Sequence, residues 1–204
     1  MRYRLTDTSH HVKLSLVNAQ RAAGSAGSLH GPYALKLATR PGAGHIAVSI
    51  KCATWRYRGP IRLEAYFTFK PEAADLLLSE LDVRAFGVLL DIQDAEYRSM
   101  PHFRHLAATG WEDVPQGRQL LCYNEIPTKY NGHYLRVDLD LSARAIKRLQ
   151  CSDRVLALEG VEPMMIPAMA NLWCMLNVAW WVETDVDKRA FLYLDSVVFS
   201  GDWP

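Results

Sequence analysis

The chain has almost no excess charge of either sign. Its 23 Lys and Arg nearly cancel its 22 Asp and Glu, leaving a formal charge of +1. That balance gives no electrostatic case for nucleic acid or an anionic membrane as the main partner. Long hydrophobic runs are also lacking, and no stretch approaches the ~20 consecutive apolar residues of a membrane span. The opening MRYRLTDTSHH has no apolar segment of the signal-peptide kind. The expectation is either a cytoplasmic protein or a chain whose leader has been removed. Cysteine is scarce. Cys52, Cys122, Cys151 and Cys174 are far apart, with no CxxC and no paired Cys/His spacing, which argues against zinc. Each lies in or beside an apolar run, so buried free thiols are expected; a disulfide would need an oxidising compartment. No G-x-S-x-G, P-loop or G-x-G-x-x-G occurs. There is no repeat at a fixed period and no low-complexity tract.

What is present is apolar alternation. The chain has 204 residues, half of them hydrophobic, which suits one domain spanning 1–204 with a sizeable core. In IRLEAYFTF, Ile61, Leu63, Ala65, Phe67 and Phe69 fall on one side, and Arg62, Glu64, Tyr66 and Thr68 on the other. Side chains on a strand alternate between faces, so this is a half-buried strand. GPYALKLAT and HIAVSIKCA alternate in the same way, the second setting Ile46, Val48 and Ile50 against Ala47, Ser49 and Lys51. The Gly/Pro turns PGAG and YRGP separate these three strands, which predicts a hairpin or meander. A Gly/Ala/Ser-rich loop precedes them over 18–31. PEAADLLLSEL, over 71–81, is predicted as one short helix, with Pro at its start and acidic residues near it. AFGVLLD, over 85–91, reads as a strand buried on both sides. The polar segment 92–118 is expected to be a binding loop, an edge hairpin, or both. RQLLCYNEIP, HYLRVDLDL, AIKRLQCSDRVLALEG (a hairpin turning at Cys151 to Asp153), the run 171–182 and AFLYLDSVVFS complete the strands. Ten to twelve strands with close turn signals predict an all-β, antiparallel two-sheet sandwich.

The order of GPYALKLAT, IRLEAYFTF, HYLRVDLDL with its hairpin, NVAWWVET and AFLYLDSVVFS resembles the concanavalin A-like lectin/glucanase jelly roll. The resemblance runs from about Tyr33 to Ser200 and is shared by bacterial domains, of which this chain looks like one. It implies two stacked, curved antiparallel sheets, with ligands, commonly glycans, on the concave face or at edge loops. Some members are hydrolases and many bind calcium. The hydrolytic signature on this fold resembles E-[ILV]-D-x-x-E. Here Glu80-Leu81-Asp82 lacks the final carboxylate, because Ala85 stands in its place.

The polar faces of three strands are the better candidates. They supply Arg62, Glu64 and Tyr66; Tyr134, Arg136 and Asp138; and Asn177, Trp181 and Glu183. The last set alternates with Leu176, Val178, Trp180 and Val182, which puts Trp180 in the core and Trp181 in a cleft, or the reverse if the register slips by one residue. Glycan binding needs aromatic faces against sugar C–H groups, and carboxylates, amides or guanidinium groups for the hydroxyls. The reading is a lectin-like, carbohydrate-binding domain using Arg62, Glu64, Tyr66, Tyr134, Arg136, Asn177 and Trp181, with Trp111 at the rim. One alternative is a glycoside hydrolase or polysaccharide lyase in which Glu64 with Asp138 or Glu183 forms an acid/base pair. Another is a protein-interaction module without a small ligand. No cofactor is expected. Recurring aspartates (Asp91, Asp94, Asp138, Asp140, Asp185, Asp187 and Asp195) keep calcium open as an alternative, although no EF-hand spacing exists. Homo-oligomerisation is left open. His102 and His105 are expected to be surface histidines on the long loop, with a place in a site beside Tyr97, Arg98 and Arg104 as the alternative.

Overall fold

The computed structural model describes residues 4–5, 13–18, 33–54, 58–69, 82–93, 96–112, 132–156, 158, 161–170 and 175–201. Fifteen strands and no helix are found among them. Sheet I runs β1 (Arg4–Leu5), β4 (His45–Thr54), β14 (Met175–Thr184), β6 (Ala85–Gln93), β7 (Tyr97–Ser99) and β13 (Met165–Pro167); β8 (His102–Leu106) also pairs with β6, and β9 (Gly110–Trp111) with β8. Sheet II runs β12 (Arg154–Leu156), β11 (Ala145–Cys151), β10 (His133–Asp140), β5 (Pro60–Thr68), β15 (Phe191–Gly201), β3 (Tyr33–Ala38) and β2 (Lys13–Asn18). The two antiparallel sheets stack into a β-sandwich of the jelly-roll kind, as the alternation predicts. The predicted helix 71–81, the strand RQLLCYNEIP, Cys122 and Cys174 lie outside the described residues.

The Ile61–Phe69 strand has its expected faces. Ile61, Leu63, Ala65 and Phe67 are fully buried between the sheets, and Arg62, Glu64 and Tyr66 stand on the outer side. The meander is corrected. β3 and β5 belong to sheet II, while β4 between them belongs to sheet I. The Gly/Pro turns therefore carry the chain from one sheet to the other instead of closing hairpins. Gly42 and Gly44 supply positive φ (122° and 74°) at the first of these crossings.

The alternation of β4 also has a consequence of its own. Ala47, on its inner face, belongs to the core, so Ile46, Val48 and Ile50 lie on the outer face of sheet I. The inner face of β4 carries Ser49 and Lys51. The segment 92–118 is an edge hairpin in its described part: the end of β6, then β7, β8 and β9. Its Trp111 is 4% exposed and meets Phe86 edge-on, with centroids 5.7 Å apart, and His105, with centroids 5.2 Å apart. Trp111 is thus a core residue and not a rim residue. His105 is corrected in the same way, being fully buried and stacked on Phe86. Cys52 is exposed, against expectation, whereas Cys151 is a buried free thiol as expected.

One bulge shapes the end of the sandwich. The pairing of β15 with β5 shifts between Asp195 and Val198, and Ser196 has φ 50°. An extra residue in a strand reverses the facing of the residues beyond it. Leu192 and Leu194 point inward before the bulge, and Val197 and Phe199 pack on the core after it. Without the extra residue, Ser196 and Val198 would take those inward places.

Candidate functional site

The residues singled out in the sequence divide between the two outer faces of the sandwich. Arg62, Glu64, Tyr66, Tyr134, Arg136 and Asp138 lie together on sheet II, where Tyr134 is opposite Tyr66, Arg136 opposite Glu64 and Asp138 opposite Arg62. Asn177, Trp181 and Glu183 lie on sheet I. A single cleft walled by all three strands is therefore corrected: the core stands between the two groups. Glu64 and Glu183 cannot attack one glycosidic bond together.

On sheet II the polar groups satisfy one another. The Asp138 carboxylate accepts from Arg62 Nε at 2.8 Å and from Arg136 at 2.6–3.0 Å, and its side chain is 3% exposed. The Tyr134 hydroxyl donates to Glu64, and its ring meets Tyr66 at 5.1 Å. Burial, and after it the hydrogen bond to Glu64, push the Tyr134 phenol up to about 12, so it remains the donor of that pair. Arg148 donates to Gln150 beside them. Both carboxylates accept from donors on the same face. Asp138→Ala would leave two guanidinium groups without their carboxylate. We expect a loss of about 2 kcal/mol of stability in urea denaturation, since removing one partner strands the others.

The outer face of sheet I has a different character. Its floor is built from Ile46, Val48 and Ile50 of β4, Ala179 of β14 and Leu89 of β6, and its far wall from β8; together they enclose a groove of about 490 Å³. Trp181, 9% exposed, lines it and lies opposite Gly87 across the β14–β6 ladder. A Cβ on Gly87 would come within 2.7 Å of the Trp181 ring and 2.4 Å of the Phe103 carbonyl oxygen. Only a glycine lets the indole lie this close to the strand backbone. The indole Nε1–H donates to His102 Nε2 at 3.1 Å. With Nε2 accepting, the neutral His102 ring carries its proton on Nδ1. Arg104 stands over the indole at 5.7 Å, within cation–π range, and reaches Glu183 at 3.6 Å and Glu112 at 3.2 Å. Arg84 holds the other oxygen of Glu183 at 3.0 Å.

Further along the same face, Arg98 clamps Asp91 with two bonds of 2.7 and 2.8 Å, and Asn177 donates to Asp91 at 3.3 Å. The outer face of sheet I thus combines an indole that is 9% exposed with an apolar floor, and sets imidazole, guanidinium, carboxylate and amide groups around them. Gly87, Arg104 and the floor residues are absent from the set chosen from the sequence. Gly87 had a visible signal, a glycine inside the apolar run AFGVLLD. Among the described residues, no three His, Cys, Asp or Glu side chains stand where they could hold a metal ion. Asp82, the described member of the Glu80-Leu81-Asp82 triplet, adopts φ 61° and pairs with Lys188 at 3.5 Å.

A family model described as a domain of unknown function, DUF6772, matches residues 1–110 and 101–203. The chain belongs to the DUF6772 family. No curated protein matches it. Among solved structures, the DUF6772 chain is similar to the cellulose induced protein Cip1, at 10% identity and a TM-score of 0.50, over 98% of this chain and 90% of that one. It is also similar to a putative sugar binding protein from Bacteroides thetaiotaomicron (9% identity, 97% and 86% covered, TM-score 0.46). A third is the metal-free lectin I-B4 of Griffonia simplicifolia (12% identity, 97% and 96% covered, TM-score 0.43). At 10% identity, the likeness of the DUF6772 chain to Cip1 is one of fold.

Proposed function

We propose that this protein is a noncatalytic carbohydrate-binding domain of the concanavalin A-like kind, and that it takes glycan in the groove on the outer face of sheet I. The observation that carries the reading is the Trp181 indole, laid against the Gly87 backbone and ringed by His102, Arg104 and Glu183. A pyranose ring offers an apolar C–H face and a rim of hydroxyls. A flat indole matches the first, and imidazole, guanidinium and carboxylate groups match the second. The groove falls within the size range of small-ligand sites. Polar groups are paired with one another on both faces, and the groove with its indole makes sheet I the stronger candidate.

Affinity electrophoresis through gels containing soluble neutral polysaccharides tests this. We expect at least one to retard the protein, and Trp181→Ala to weaken that retardation roughly thirtyfold, as for an anchor residue worth about 2 kcal/mol. Tyr66→Ala, on the opposite face, should leave it unchanged. Loss with Tyr66→Ala and none with Trp181→Ala would move the site to sheet II. The apolar strip Ile46, Val48 and Ile50 favours a second reading, a protein-interaction face. A folded protein that no polysaccharide retards would support that reading instead.

A further inference from the structure

The groove on the outer face of sheet I is two-sided. Strand register sets its residues in rows that cross β4, β14, β6 and β8. One row runs from Val48 through Trp181 and Gly87 to Arg104, and the next from Ile50 through Ala179 and Leu89 to His102. Each row begins on an aliphatic side chain of β4 and ends on a polar side chain of β8. The two borders lie about 14 Å apart by ordinary strand spacing.

The β4 border is an aliphatic ridge. Ile46, Val48 and Ile50 follow one another at about 6.8 Å, and all three are half-buried, so each keeps surface open to the groove. Among the described residues of β4, no polar side chain lines the groove. The opposite border is polar. His102 is exposed and Arg104 half-buried. Glu183, at one end of the groove, is drawn to that border by Arg104 at 3.6 Å and by Arg84, beside β6, at 3.0 Å. A fully hydroxylated hexose matches only the polar border. Its ring carries hydroxyls on every edge, and a hydroxyl pressed on the ridge gives up water without gaining a partner. A methyl in that place takes apolar surface out of water instead.

We infer that the glycan taken by this groove carries a methyl-bearing substituent, a 6-deoxy carbon or an acetyl group, seated on the ridge of Ile46, Val48 and Ile50, with its hydroxyls towards His102, Arg104 and Glu183. The inference rests on the carbohydrate reading above and adds to it the class of sugar. It also gives the apolar strip a role within that reading. An enclosed apolar pocket disfavours an added hydroxyl by about a hundredfold. This ridge is only half-buried, so a preference of about tenfold is expected.

The test titrates the whole chain with two matched pairs of sugars and follows binding by NMR. L-Fucose differs from L-galactose only in lacking the C6 hydroxyl. N-acetylglucosamine differs from glucose in carrying an acetamido group at C2. At least one methyl-bearing sugar is expected to bind about tenfold more tightly than its counterpart, and the pair that shows it tells a deoxy sugar from an acetylated one. Val48→Thr exchanges a methyl for a hydroxyl on the ridge and is expected to cut that ratio to about threefold or less. If Val48→Thr fails to fold, Ile46→Thr gives the same readout. Equal binding within both pairs overturns the inference and leaves the carbohydrate reading standing. Failure of all four sugars to bind overturns it too, and retardation by polysaccharide then decides whether the carbohydrate reading falls with it. A ratio unchanged in the folded variant removes the ridge as its source and overturns the inference as well.

Discussion

Gly87→Ala is expected to lower stability by about 3 kcal/mol, the upper range for forcing extra atoms into a packed interior. The added methyl would meet the Phe103 carbonyl oxygen at 2.4 Å and the Trp181 ring at 2.7 and 2.9 Å. Side chains can rotate away from such a contact, but the Phe103 oxygen belongs to the β8 backbone, which pairs directly with β6. Relief therefore requires moving one strand from the other or lifting the indole off the sheet. The first breaks ladder hydrogen bonds; the second also breaks the bond from Trp181 to His102. Urea denaturation reads the stability, and polysaccharide affinity of whatever folded fraction remains reads the position of the indole. A glycine with no role beyond the strand would behave differently: alanine in its place would cost little, or even stabilise.

Acid is expected to weaken the protein through His133. Its ring is buried between Phe67, at 5.3 Å, and Phe69, at 5.9 Å. Burial first, and the neighbouring charge of His105 second, depress its pKa from 6.5 to about 4. Between these values the unfolded chain binds a proton that the folded chain refuses. Stability therefore rises with pH across this window, is complete above about 6.5, and is lost as the pH falls towards 4. The shift corresponds to about 3 kcal/mol, a large share of the 5–15 kcal/mol typical of a folded domain. Melting temperatures between pH 7.5 and 4 measure it. His133→Leu should flatten the decline by that amount. An unchanged acid slope in this variant would assign the loss to other groups.

Much of the fold was legible because the inter-sheet core leaves a period-2 trace. Ile61 to Phe67, Leu135 to Leu139 and Leu176 to Val182 show it, and all three stand in the predicted facing. Trp180 faces the inter-sheet core and Trp181, also buried, the other side of β14, a choice that alternation alone left open. Strand partners were less legible. A Gly/Pro turn looks alike whether it closes a hairpin or crosses to the other sheet, so β3, β4 and β5 read as a meander. β4 defeats the pattern more deeply. Its larger aliphatics face outward, because Ile46, Val48 and Ile50 line a groove while Ala47 and Ser49 face the tight interior. Alternation reveals two faces without saying which is inner when a strand carries large apolar side chains on its outer side.

The site divided along the same line. A row of Arg62, Glu64 and Tyr66 looks available in sequence, yet a one-dimensional pattern does not show that Arg136, Asp138 and Tyr134 are there to pair with it. Trp111 looked like a rim residue because it lies in the long polar segment 92–118. In the fold it closes the core over Phe86. Only Trp181, Asn177 and Glu183 of the selected residues reach the groove face. Their neighbours come from β8 and from a glycine whose meaning depends on the ring opposite.

The most direct measurement is the indole Nε1–H resonance of Trp181 in a ¹⁵N-labelled protein, assigned by its loss in Trp181→Phe and followed during titration with oligosaccharides cut from a polysaccharide that the protein retains. The Trp181 signal is expected to move with saturation, its hydrogen bond to His102 being perturbed, while Trp180 and Trp111, both buried in the core, stay still. Saturable binding with the Trp181 signal fixed and backbone shifts confined to β5 and β10 would contradict the assignment and place the ligand on the opposite sheet.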